Sequence, residues 1–290
     1  MPDPAVSGFS IIRNATRLDF PLEASVRSVL PGVDEFVLAV GASEDDTRDR
    51  AERLAAAEPK VRLLDTVWDT SQGATVLSAQ TNIAMAACRG RWGIYIQADE
   101  VLGDGGAEAL RAQLLAADAT PRVEGLVVAY RHFYGGLDTI GVSRGWYRRE
   151  VRAVRLGVGV HSHGDAQGFR VGTENRRVRC RQSGVTMFHY GWARPTWALQ
   201  AKRKLDHEIY PTERRKDPER PLLPWFPGLR RYDGPHPTPV AEWIAARRDT
   251  TSYIEPPRYD REALRLSISL GLERLTGWRP FEYRNYTLVR

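Results

Sequence analysis

Over the first hundred residues, short apolar runs alternate with segments whose apolar residues recur at helical spacing. This alternation constrains the fold more than any other feature of the 290-residue chain. GFSIIR (8–13), EFVLAV (35–40), VRLLD (61–65) and WGIYIQ (92–97) read as buried strands. Between the first two, Leu22, Val26, Val29 and Leu30 form one helical stripe, with Asp19 as its expected cap and Pro31-Gly32 as its end. Ala51, Leu54 and Ala55 give the second helix a thin inner face; acidic residues at its start suit the helix dipole. Leu77, Thr81, Ala84, Met85 and Cys88 mark a third helix, stopped by Gly90. Strands alternating with helices predict an α/β fold with a parallel sheet and right-handed crossovers. Ligands bind such sheets beyond the carboxyl ends of the strands, which singles out Arg13-Asn14, Gly41 to Asp46, Trp68-Asp69 and Gln97 to Glu100.

After residue 120 the texture changes. EGLVVAYRHFY, TIGVSRGWYR, VRAVRLGV and VTMFHYGW (185–192) read as strands of an antiparallel or mixed portion. Pro195 opens a helix through Tyr210, residues 211–237 are loop by their prolines, and Leu264, Ile268, Leu272 and Leu275 mark a last amphipathic helix. The expected divisions are 1–120, 121–210 and a 211–290 extension of loop and helix.

Composition removes several alternatives. A hydrophobic fraction of 42% with 27% charged residues supports a folded core. Mean hydropathy is −0.43, and the absence of an 18-residue apolar run excludes a transmembrane helix. The N-terminal MPDPAVSGFS lacks a basic segment followed by an apolar one, so no secretory leader is expected and the expected compartment is cytoplasmic. Cys88 and Cys180 are too few for a disulfide framework or a structural zinc site. The net charge is +6, and Lys60, Lys202, Lys204 and Lys216 are the lysines among 42 basic residues. Arginines crowd 144–181; their planar forks suit phosphates and carboxylates, although a solvated surface also accounts for them.

The strongest chemical signal is Gln97-Ala98-Asp99-Glu100 directly after a buried strand. Adjacent carboxylates there need a cation or hydrogen bonds, and Mg²⁺ or Mn²⁺ takes carboxylates together with substrate phosphate oxygens. A turn leading into the next element is the structural alternative. His189, within Phe188-His189-Tyr190-Gly191-Trp192, is either a satisfied strand histidine or a further ligand, and imidazole suits Mn²⁺ better than Mg²⁺. His161-Ser162-His163-Gly164-Asp165 offers candidate bases; as a zinc site it lacks a further ligand. LLPWFPGLRRY (222–232) joins apolar groups to arginines and allows at most peripheral membrane contact; its prolines favour a loop packed on the domain.

In order and spacing these pieces resemble the family 2 glycosyltransferases, which have the GT-A fold. The resemblance is carried by Ile11-Ile12-Arg13-Asn14-Ala15, the Gly41-Ala42-Ser43-Glu44-Asp45-Asp46-Thr47 loop, Trp68, Asn82 and Gln97-Ala98-Asp99-Glu100. It covers 8–120 well and 121–210 more loosely. It implies a nucleotide-sugar site at Arg13, Asn14, Ser43, Trp68, Asn82, Gln97 and Ala98. It further implies a cation on Asp99 and His189, and a base at Asp165, with Glu100, His163 and Trp192 as additional candidates. Two departures stand out: Val40-Gly41 replaces an acidic end of the second strand, and Gln97 replaces the first acid of the metal motif. Gln97 can hydrogen-bond a ribose or a metal-bound water but supplies no charge.

The implied activity is transfer of a sugar from a nucleoside diphosphate sugar, UDP favoured, to a hydroxyl of a saccharide or lipid-linked acceptor. It would proceed with inversion, with Mn²⁺ or Mg²⁺, in making bacterial polysaccharide or glycoconjugate. A sugar-nucleotide-binding protein without turnover is one rival. A basic nucleic-acid-binding protein is another, but no known module or one-helix arginine stripe supports a nucleic-acid partner.

Overall fold

The computed structural model describes residues 5–209, 223–247, 254–279 and 282–289. The first half runs β1 (Val6–Ile12), α1 (Leu22–Val29), β2 (Glu35–Gly41), α2 (Thr47–Ala57), β3 (Val61–Thr66), α3 (Thr75–Ala86), β4 (Trp92–Tyr95), β5 (Glu100–Leu102) and α4 (Gly106–Ala117). The second runs β6 (Gly125–Tyr134), β7 (Thr139–Gly141), β8 (Arg149–Arg155), β9 (Val160–His163), β10 (Gly168–Val171), β11 (Arg176–Trp192), α5 (Thr196–Ile209), β12 (Leu229–Arg231), α6 (Ala241–Ala245), α7 (Arg261–Thr276) and β13 (Tyr286–Leu288).

The sheet order is β3-β2-β1-β4-β8-β6-β11-β10-β9. β3, β2, β1 and β4 are parallel neighbours, whereas β8 runs antiparallel to both β4 and β6. The α/β class, with a parallel first half and a mixed second half, is therefore as the alternation predicts. Every residue of β1 and β2 is buried, as expected of strands covered on both faces. One core layer joins Val26 and Val29 of α1 and Leu110 and Leu114 of α4 to Phe36, Leu38 and Ile94. The opposite layer stacks Phe9, Tyr95 and Phe169, which meet at ring-centroid distances of 5.3 to 6.4 Å.

Four expectations need correction. Asp19 does not cap α1, which begins after Pro21 without a side-chain cap; Asp19 has φ of 52° and gives its carboxylate to Arg247 instead. In TIGVSRGWYR only Thr139–Gly141 is strand. Residues 211–237, read as loop throughout, contain β12, while 210–222 lie outside the described residues. α7 exists, but its apolar stripe faces outward: Leu264, Ile268 and Leu275 are 62%, 56% and 86% exposed. Its inner side is Ala263, Ser269 and Glu273, and Glu273 binds Arg148 and Arg279. In the 222–232 segment Leu223 is buried and Phe226 packs on Tyr134 and Trp146, so these apolar groups belong to the domain. No helix among the described residues is long and apolar enough to cross a membrane.

Candidate functional site

The parallel strands bring the loops after β1, β2 and β3 together at one edge. Much of their polar chemistry is spent on holding one another. The Asn14 amide N–H donates to Ser43 Oγ at 3.0 Å, and Asn14 Oδ1 accepts from the Glu44 amide at 2.9 Å. Asn14 needs φ of 53° for this, a conformation that asparagine tolerates better than most residues. Arg13 Nε donates to the Ala42 carbonyl at 3.2 Å. Asp45 accepts from the Arg17 and Thr47 amides, so the acidic loop braces the cleft from behind.

Two buried donors remain open there. Arg13 Nη1 and the Trp68 indole N–H have no partner among the described residues. Trp68 lies over Gly41 so closely that a β-carbon at 41 would collide with its indole nitrogen. Trp68 thus occupies the place where an acidic side chain would otherwise project, and Gly41 is what admits it. Buried donors without acceptors are costly, and an acceptor-rich ligand would satisfy them. Asn82 does not face this cleft with free groups: its amide clamps the Ser162 backbone, donating to the carbonyl at 3.1 Å and accepting from the N–H at 2.7 Å.

Beyond β4 the Gln97-Ala98-Asp99-Glu100 residues divide. Glu100 is fully buried in a bidentate pair with Arg152, at 2.7 and 2.9 Å, and also accepts from the Tyr130 hydroxyl at 2.6 Å and the Gln97 backbone N–H at 3.0 Å. With both oxygens committed, Glu100 has no coordination left for a cation and is not placed to take a proton. Asp99 is the free carboxylate. Its Oδ2 lies 3.6 Å from His189 Nε2. Burial alone would raise its pKa, but the His189 ring in its protonated form, then Lys202 and Arg194, hold it well below the usual carboxylate range.

His189 sits beside Asp99 because β11 pairs antiparallel with β5, placing His189 opposite Glu100, and parallel with β6, placing it opposite His132. His132 Nδ1 lies 3.0 Å from His189 Nδ1, and His132 Nε2 lies 2.8 Å from the Tyr147 carbonyl. A carbonyl only accepts, so His132 Nε2 carries a hydrogen. Burial, and next the His189 ring, push the His132 pKa well below the ordinary imidazole value, leaving its Nδ1 bare. The hydrogen between the two rings then belongs to His189 Nδ1. A neutral His189 consequently turns the lone pair of Nε2 toward the Asp99 carboxylate. Two electron-rich atoms face one another at a separation that one cation, about 2.0–2.2 Å from each, would span. Gly191 keeps the space open: a β-carbon there would stand 2.6 Å from His189 Nε2 and 2.8 Å from Asp99 Oδ2. The donors present therefore fit a divalent cation. They are two, and no group of three or more His, Cys, Asp or Glu side chains among the described residues is arranged to hold a metal. Further ligands would have to come from water or a bound diphosphate.

Gln97 is half-buried and donates from Nε2 to the Ala166 carbonyl at 3.4 Å, linking this site to the β9–β10 hairpin. Ala98 is buried beside it. Asp165 is exposed in that hairpin turn, where Oδ1 accepts from the Gln167 amide at 3.3 Å, and His163 is exposed next to it. Trp192 is half-buried under Lys202, whose Nζ lies 5.5 Å from the ring centroid. Sequence reasoning missed His132, Lys202 and Arg194. Gly191 in a strand was the available signal, since glycine there often marks close approach of another group.

Five of the ten arginines of 144–181 are engaged elsewhere. Arg148 binds Glu282, Arg152 binds Glu100, Arg170 binds Asn285, and Arg176 and Arg179 bind Glu124.

No family model and no curated protein matches the chain. Solved structures match in part. The chain is similar to the 1–349 portion of S. aureus TarS at 12% identity and a TM-score of 0.41, over 71% of this chain and 65% of that one. It is similar to the UDP complex of that portion at 16% and 0.35, over 45% and 37%. It is also similar to the mannosyltransferase PcManGT of Pyrobaculum calidifontis, in complex with GDP-Man and Mn²⁺, at 21% and 0.35, over 44% and 36%. The chain thus spans between about a third and two thirds of these proteins' lengths, and its function has to be read from its own site.

Proposed function

We propose that the protein is a GT-A-type glycosyltransferase that moves a sugar from a nucleoside diphosphate sugar, UDP-sugars favoured, to a hydroxyl acceptor. The observation that carries this reading is the pair Asp99 and His189, which converge beside Gly191 beyond β4. The order of the surrounding loops supports it, as do the open donors of Arg13 and Trp68, which suit the carbonyl oxygens of a nucleotide base.

Asp99 and His189 would hold Mn²⁺ or Mg²⁺; the cation's contribution is to neutralise charge on the departing diphosphate. Lys202, which acts on Asp99 electrostatically and stands on Trp192, supplies a second positive charge on the same side. Asp165 accepts the acceptor's hydroxyl proton from the hairpin that Gln97 anchors, while attack opposite the leaving group inverts the anomeric centre. The acceptor is a saccharide or a lipid-linked saccharide, and the pathway is bacterial polysaccharide or glycoconjugate synthesis.

Release of free UDP from a panel of UDP-sugars tests the activity. Asp165→Asn should retain UDP affinity while turnover falls by about 10²-fold or more. Unchanged turnover would remove Asp165 from the mechanism and pass the role to the neighbouring His163.

A further inference from the structure

On the far side of His132 from the cation pair lies a groove of about 480 Å³, walled by Tyr130, His132, Trp146 and Tyr147. Five arginines and a single acid line it. That acid, Glu273, is fully used: one oxygen accepts from Arg148 at 3.3 Å and the other from Arg279 at 2.8 Å. Arg148 has a further partner in Glu282, and Arg279 also donates to the Trp146 and Val142 carbonyls. Arg149, Arg230 and Arg274 have no acidic partner among the described residues. They come from β8, β12 and α7, elements far apart in sequence that the fold brings to one groove.

Arg149 is half-buried, and Arg230 and Arg274 are exposed at the rim of the groove. Three unpaired guanidinium groups around one cavity repel one another, and an anion relieves that repulsion. Guanidinium forks match the oxygens of a phosphate, and a phosphate monoester carries about 1.5–2 negative charges at neutral pH. The aromatic wall provides flat faces for sugar rings. His132 both walls the groove and touches His189, so one side chain separates the groove from the cation pair.

We propose that this groove holds the outer part of the acceptor, away from the reacting hydroxyl, and that this part is a saccharide bearing a phosphate group, held by Arg149, Arg230 and Arg274. The assignment of the groove to the acceptor rests on the transferase reading; its preference for phosphate does not.

Calorimetric titration of the full chain, with and without saturating UDP, compares glucose 6-phosphate, glucuronate and glucose. Glucose 6-phosphate should bind at least about tenfold more tightly than either of the others. Arg149→Gln combined with Arg230→Gln should abolish that advantage while UDP affinity and thermal midpoint stay as in the wild type. Equal binding of all three sugars, retention of the advantage in the double variant, or glucuronate binding as tightly as glucose 6-phosphate would overturn the proposal. Capture of the protein by phosphatidylglycerol vesicles in place of binding to the sugar phosphate would overturn the saccharide assignment. A wild type that binds glucose 6-phosphate but never UDP leaves the groove standing and removes the nucleotide-sugar reading, so the two failures are distinct.

Discussion

At the scale of single residues, the site depends on which nitrogen carries a hydrogen. The Tyr147 carbonyl fixes His132, and His132 fixes His189 so that Nε2 faces Asp99. Outer partners of this kind commonly change metal affinity by about 10–100-fold. His132→Phe keeps a ring in place but removes the acceptor for His189 Nδ1–H. Mn²⁺ titration in the presence of UDP should show affinity falling by about tenfold or more, and His132→Asn, which restores an acceptor, should recover part of it. Equal affinity in all three proteins would mean that His132 only fills space. From one sequence Asp99 could be singled out as a candidate by its place after a buried strand, and His189 by the resemblance to the family 2 glycosyltransferases. His132 could not, since only the parallel register of β6 and β11 brings it to His189. Glu100 looked equivalent to Asp99 in sequence; what separates them is Arg152, 52 positions away.

At the scale of elements, β11 is the spine of the second half, 17 residues long and paired with β6, β5, β10 and β13. Only its last eight residues were read as strand. Its start, Arg176 to Arg181, was read as charge, yet Val178 and Cys180 alternate inward between the arginines, which is a strand's period of two. Those arginines have a structural task. Burial alone would raise the Glu124 pKa, but hydrogen bonds from Arg176 and Arg179 outweigh it and bring it to about 2. Unfolded, this carboxyl would titrate near 4.3. The folded state therefore binds fewer protons between those values, and stability is lost as pH falls through that window. Because both arginines are nearly half exposed, solvent screening reduces the contribution to about 1–2 kcal/mol. Thermal melts of Glu124→Gln should show this loss above about pH 5 and a narrowing difference from wild type toward pH 2. A difference independent of pH would contradict the assignment. The helical spacing of α7 was equally legible, but period alone does not say which face turns inward, and here the Glu273 ion pairs chose the less apolar side.

At the scale of the whole molecule, the parallel half was legible almost element by element, because strands buried on both faces and amphipathic crossover helices leave strong local patterns. The mixed half was less so, since its pairings join residues far apart and its polar groups serve the sheet. One architecture now connects the two: β4 delivers Asp99, β11 delivers His189, and Gly191 leaves room between them. The central claim is that this space takes a divalent cation together with the diphosphate of a nucleotide. The most direct measurement is calorimetric titration of UDP into the wild type and Asp99→Asn, each with and without Mn²⁺. Charges a few ångströms apart near a protein surface interact by a few kcal/mol, much of it offset by desolvation. Mn²⁺ should therefore tighten UDP binding to the wild type by about tenfold or more and leave Asp99→Asn nearly unchanged. UDP binding that is absent, or that is indifferent to Mn²⁺ in the wild type, would contradict it.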